Sequence, residues 1–243
     1  MRQRCQPTVI RTIVAVAAAL LLPVGNATAA NIVWDFSGNA AEISSGSLTV
    51  NGVPGGQPII ATGWSVNAAG DSTSYVAEHL YQRNVSPDDQ GLGVCNHVET
   101  PCTTGAQQEM DNLYSVRDVI RLDLSALTGG VNQSLLASVD DSTGTEFYIY
   151  GSNSTNPTLS TSTPGVFELA HGGASCAGTP NCQVALTGPY KYLYFTTAPG
   201  VLNGIDSYLL HTVTAPPVPE PASLLLLGSG LAGLAARRRM KKV

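Results

Sequence analysis

Apolar and polar positions alternate in short runs along residues 31 to 215, and long helical periodicity is missing. Ile60-Ala61-Thr62-Gly63-Trp64-Ser65-Val66 places Ile60, Trp64 and Val66 on one face of a strand. Val76 to Arg83 puts Tyr75, His79 and Tyr81 on one side. Val119 to Leu124 points Ile120, Leu122 and Leu124 inward, with Arg121 and Asp123 outward. Phe147 to Tyr150 and Tyr190 to Thr196 read as aromatic strands. Shorter candidates are Ile32 to Phe36, Leu48 to Val50, Leu135 to Val139, Val166 to Ala170, Val184 to Leu186 and Ser207 to Val213. Turn residues separate them: Asn51-Gly52, Pro54-Gly55-Gly56, Ala69-Gly70-Asp71, Asp140-Asp141, Pro164-Gly165 and Ala198-Pro199-Gly200. This pattern predicts an all-β domain, a jelly-roll-like β-sandwich. A short helical turn is expected near Ala106 to Asn112, and a long surface loop over Ser152 to Pro164.

The two ends depart from this pattern. Arg2, Arg4 and Arg11 precede the apolar run Ile13 to Leu22, then Pro23, Gly25 and Ala27-Thr28-Ala29-Ala30. A basic region, an apolar stretch and small residues at a cleavage site predict a secretory signal peptide over residues 1–30. The alternative is a retained anchor, for which the apolar run is short. Residues 31–215 form the expected exported domain, and 216–221 a proline-rich linker. The apolar run Ala222 to Ala236 reads as a single transmembrane helix. It would reach about 22 Å as a helix, against a hydrocarbon core of about 30 Å. Snorkelling of the flanking basic side chains extends that reach. Residues 237–243 form a basic cytoplasmic tail in which Arg237, Arg238, Arg239, Lys241 and Lys242 act as the membrane stop.

Charge placement supports that topology. Between the basic ends only Arg83, Arg117, Arg121 and Lys191 carry positive charge, against sixteen acidic residues. The central domain is therefore acidic at a formal −12, although the whole chain is −5. Such a domain has no electrostatic case for nucleic acid or for an anionic lipid surface.

Val218-Pro219-Glu220-Pro221, the short apolar run and the terminal basic cluster occur in order at the C-terminus. Together they resemble the PEP-CTERM sorting signal of Gram-negative bacteria. The resemblance covers about the last 25 residues. It implies recognition by an exosortase, with Val218, Pro219, Glu220 and Pro221 as the sorting motif. It also implies export through the inner membrane, transient anchoring by the C-terminal helix, and association with extracellular polysaccharide or biofilm. Gly91 to Val94, Asp111-Asn112 and Arg117 to Leu124 resemble segments of exported PEP-CTERM β-sandwich proteins, which implies fold more than activity.

Cys5 precedes the signal's apolar run and is expected to leave with it. Cys95, Cys102, Cys176 and Cys182 remain, an even number that favours disulfides in an exported chain. Three pairings exist. The local one, Cys95 with Cys102 and Cys176 with Cys182, closes only small loops. A metal site from Cys95, His97 and Cys102 is the competing reading, without a matched second pair. Acids gather between Asp88 and Asp118, so Asp88, Asp89 and Asp111 are candidate calcium ligands, although EF-hand spacing is missing and a solvated acidic loop is the bland alternative.

The sequence has no H-E-x-x-H and no nucleophile elbow, and Gly70-Asp71-Ser72 only superficially resembles a hydrolase block. No catalytic residue is assigned. The expected role is a non-enzymatic cell-surface or matrix protein without a cofactor. One alternative is a carbohydrate-binding module with a structural calcium ion, in which Trp34 or Trp64 would stack on sugar rings. The other is a secreted hydrolase. Against the first alternative stands the commoner fate of strand aromatics, which is core packing.

Overall fold

The computed structural model describes residues 30–67, 74–86, 89–97, 102, 108–111, 116–127, 134–140, 147–172, 182–198, 208–216 and 228. Residues Ala30–Pro217 form one compact unit. Thirteen strands lie among the described residues. They are β1 (Ile32–Asp35), β2 (Ala41–Ile43), β3 (Ser47–Gly52), β4 (Gly56–Asn67), β5 (Val76–Ser86), β6 (Asp89–Cys95) and β7 (Val116–Asp123). The others are β8 (Ser134–Asp140), β9 (Phe147–Ser152), β10 (Val166–His171), β11 (Cys182–Thr187), β12 (Tyr192–Thr197) and β13 (Leu209–Ala215). The signal helix and the sorting residues expected at the two ends lie outside the described residues, and so does the expected transmembrane helix apart from Gly228. Among the described residues no helix is long and apolar enough to cross a membrane.

The fold is all-β, and every paired neighbour is antiparallel. A sandwich has two separate sheets; here one open, curled sheet runs β10-β9-β12-β7-β4-β5-β6-β13-β8-β11. Strands β1, β2 and β3 branch from it on β13, β5 and β4. The physical reason is the length of β5. Its start, Val76–Glu78, pairs with Gly63–Ser65 of β4, while His79 onward pairs with β6 and Leu80 also meets β2. One strand thus belongs to both halves, and a bridge between Val33 and Val53, with backbone bonds of 2.8 and 2.9 Å, joins them a second time.

Both halves feed one apolar core. Trp34, Leu80, Leu92, Val94, Leu210 and Val213 come from one half; Ile59, Ile120, Leu122, Ile149, Leu193 and Phe195 come from the other. Burial of such side chains stabilises by about 1.5–3 kcal/mol each. The inward position of β4 differs from the sequence expectation. Ile59 and Ala61 enter the core, while Ile60 is 40 % exposed and shares the opposite face with Trp64 and Val66. That opposite face holds a second cluster, Val66, Val119, Tyr150, Leu159, Val166 and Tyr194, with Trp64, Tyr75, Tyr148 and Tyr192 packed against it. Alternation identified which residues share a face but not which face is the main core, because both faces are partly covered.

Residues 153–164 form the expected surface loop, and it is pinned to the sheet. Pro157 and Leu159 are buried, and tyrosine hydroxyls bind its backbone. Of the expected helical turn near 106–112, residues 108–111 are described: Gln108 has 3₁₀ geometry and Met110 forms a bridge with Tyr208. Strand β13 runs to Ala215, after which the expected linker takes over.

Candidate functional site

The second apolar cluster carries an arginine–aromatic ladder. Arg121 of β7 lies opposite Thr62 of β4 and Tyr194 of β12 in the register. Its guanidinium sits 4.7 Å from the Trp64 ring centre and 5.7 Å from that of Tyr192. The same group donates to the Thr155 carbonyl at 2.8 Å and to Asn156 Oδ1 at 3.1 Å. Tyr75 meets Trp64 edge-on and donates to the Pro157 carbonyl at 2.6 Å. Tyr194 donates to the Ser154 carbonyl. Residues 154–157 are thereby held over the aromatic face by three side chains of the sheet.

Arg117, two residues before Val119 on the same strand face, is fully buried. Its Nε, Nη1 and Nη2 meet no hydrogen-bond acceptor among the described residues. Burial lowers its pKa, and the neighbouring phenols of Tyr150, Tyr75 and Tyr208 work in the opposite direction. Burial also raises the tyrosines: Tyr150 to about 12, and Tyr75, Tyr194 and Tyr208 further. The alternation of β7 marks Arg121 and Asp123 as outward and carries no signal for Arg117.

A groove opens where the edge of β4 passes from β3 to β5. Ser47 pairs with Thr62 and Glu78 with Gly63, so the two partners diverge between Thr62 and Gly63. The turn Ser44–Ser47 fills that gap. Ser45 Oγ donates to the Ser47 carbonyl, and the Gly63 N–H donates to the Gly46 carbonyl at 3.1 Å. Gly46 sits at φ 64, and a Cβ there would lie 2.5 Å from the Glu78 carbonyl oxygen. Glycine is required by both the left-handed backbone and the close approach. The resulting cavity of about 360 Å³ is lined by residues 44–47, 62–64 and 77–79.

Glu78 is the inward acid that alternation with Leu80 should have revealed. It is 4 % exposed. Ser65 Oγ donates to its Oε1 at 2.5 Å, and His97 Nδ1 contacts the same oxygen. A Ser–His–acid relay needs the histidine between serine and acid. Here serine and histidine both address the acid, so the arrangement satisfies a buried carboxylate.

The other predicted residues separate. Trp34 is 1 % exposed, with Nε1 donating to the Gln57 carbonyl at 2.8 Å, so it is a core residue and not a sugar platform. Trp64 is half-buried. Asp89 is ion-paired with Arg83, which also reaches Glu109 Oε1 at 2.9 Å. Asp111 is fully buried beside Asp118, whose Oδ2 accepts from the Asp111 N–H at 3.2 Å and whose Oδ1 accepts from Asn96 Nδ2 at 3.2 Å. Asp88 lies outside the described residues. Among the described residues no three His, Cys, Asp or Glu side chains converge as a metal set. Cys95 and Cys102 form a disulfide, with Cα atoms 5.8 Å apart. Cys182 is also disulfide-bonded, while Cys176 lies outside the described residues.

No curated protein and no solved structure matches the chain significantly. A family model does match, and its span is the C-terminal segment rather than the folded unit. Residues 217–239 fit the model described as the PEP-CTERM protein-sorting motif, so the chain carries the C-terminal tag of an exosortase substrate sorted toward the cell surface.

Proposed function

We propose that the protein is a non-enzymatic component of the cell surface or extracellular polysaccharide matrix. A cleaved signal peptide directs it through the inner membrane, and residues 222–236 hold it there until an exosortase acts at Val218-Pro219-Glu220-Pro221. The match of residues 217–239 to the sorting motif carries this reading. Two further observations support it. The basic residues sit at the two ends, around an acidic centre, as the positive-inside rule requires for an exported domain. Among the described residues, the serine–histidine–acid grouping around Glu78 is wired for satisfaction of a carboxylate, not for nucleophilic attack.

The test is deletion of Val218 to Val243, compared with a host strain lacking its exosortase. The deletion should release the domain into the medium. The strain without exosortase should accumulate the unprocessed chain in the membrane fraction. Unchanged surface retention in both cases would overturn the proposal.

A further inference from the structure

We propose that the groove between the Ser44–Ser47 turn, Trp64 and His79 binds a short stretch of a neutral polysaccharide. The inference rests on the matrix reading above and gives it a site. About 360 Å³ is at the small end of ligand cavities, which run from about 300 to 1,000 Å³. It suits a few sugar rings of one strand rather than a bundle.

The lining has the chemistry of sugar recognition. Trp64 Nε1 is already committed to Thr62 Oγ1 at 2.8 Å, so the indole offers the groove its apolar ring and not its donor. Arg121 stacks on that ring and Tyr75 packs against it in a T-shaped contact, which fixes its orientation before any ligand arrives. Apolar ring surface is complementary to the C–H face of a pyranose. Ser44 and Ser47 are exposed beside it and present hydroxyls. His79 is paired through Nδ1 with Glu42, which leaves Nε2 for a sugar hydroxyl.

Charge selects the class of polymer. Glu78 is turned inward onto Ser65 and His97, and His79 is matched by Glu42. The groove therefore presents polar, uncharged or paired groups. The surrounding domain, at a formal −12, repels a polyanion such as a uronic-acid chain. A neutral glycan meets neither penalty.

Full-length protein in detergent micelles is titrated with neutral hexasaccharides of β-glucose, α-glucose and N-acetylglucosamine, and with hexagalacturonate. Binding is read by calorimetry and tryptophan fluorescence. At least one neutral hexasaccharide should bind, and hexagalacturonate should not. Trp64→Ala and His79→Ala should each weaken binding about tenfold or more, with unchanged circular dichroism. If Trp64→Ala fails to fold, the exposed His79→Ala variant decides. Lack of binding by every neutral probe, equal binding by the variants, or preference for hexagalacturonate would each overturn the site. Surface retention is read separately, so failure here leaves the sorting proposal standing.

Discussion

Replacing Arg121 should loosen the aromatic face by an amount that its contacts predict. Arg121→Met keeps chain length and apolar packing but removes the guanidinium. The lost stack on Trp64, at 4.7 Å, contributes about 0.5–1 kcal/mol at a partly exposed site. Loss of the bonds to Thr155 O and Asn156 Oδ1 adds about 1–2 kcal/mol, at the low end for a charged donor because both are exposed. The sum is about 2 kcal/mol, or a fall of about 4–8 °C in Tm for a domain of this size. A double-mutant cycle with Trp64→Leu isolates the stacking component. Urea unfolding followed by far-ultraviolet circular dichroism should give a coupling of about 0.5–1 kcal/mol. Arg121→Lys separates the two contributions, since an ammonium keeps the charge over the ring but loses the planar fork. Additive effects of Arg121→Met and Trp64→Leu would refute the claim that the guanidinium orients the indole.

The remaining predictions concern backbone, titration and covalent links. Gly46→Ala combines a left-handed backbone at φ 64 with a Cβ 2.5 Å from a backbone oxygen, and should cost about 2–4 kcal/mol; Gly55→Ala, at φ 60 with nothing within 4 Å, should cost about 1 kcal/mol. Parallel thermal melts of the two variants read the steric part directly, and equal losses would contradict the close approach. The buried tyrosines have pKa values raised above 10, Tyr150 to about 12. Their contribution is fully present below the unfolded value of about 10 and is lost as pH rises through the folded values. Absorbance titration of phenolate should therefore show a group of tyrosines ionising only with unfolding above about pH 11. Replacing Cys95 and Cys102 by alanine opens a loop with a sequence separation of 7, which costs about 2–3 kcal/mol in the chain-entropy account; a denaturant midpoint unchanged from the oxidised protein would contradict that link.

Legibility differed between address and site for physical reasons. Strand positions were readable because Val, Ile and aromatic residues alternate with polar ones, and Ile120 and Leu122 entered the core as that alternation requires. The inward face of β4 was not readable. Ile59 and Ile60 are equally apolar, and the second cluster under Leu159 rewards burial on both sides of the strand. Sheet continuity also escaped prediction, because it depends on β5 exchanging partners midway, a long-range pairing that alternation does not encode. Serine and threonine content marks 152–164 as a surface loop but does not encode what holds it. Its order comes from Tyr75, Tyr194 and Arg121, which lie 34 to 82 positions away along the chain. The groove is of the same kind: residues 44–47, 62–64 and 77–79 become neighbours only through register.

The contrast between the two tryptophans shows how register turns composition into chemistry. Both are strand residues, and neither differs from the other in sequence pattern. Trp34 lies on β1, where its ring joins the main core and its N–H reaches the Gln57 carbonyl. Trp64 lies on the opposite face of β4 from Ile59 and Ala61, next to the point where β3 gives way to β5. A sheet cannot fill that divergence with a continuous ladder, so a serine turn with one obligatory glycine occupies it. The gap leaves the half-buried indole beside exposed hydroxyls. The candidate binding chemistry thus arises at the defect in strand pairing rather than along the regular ladder, and Gly46, Trp64 and the break between Thr62 and Gly63 depend on one another.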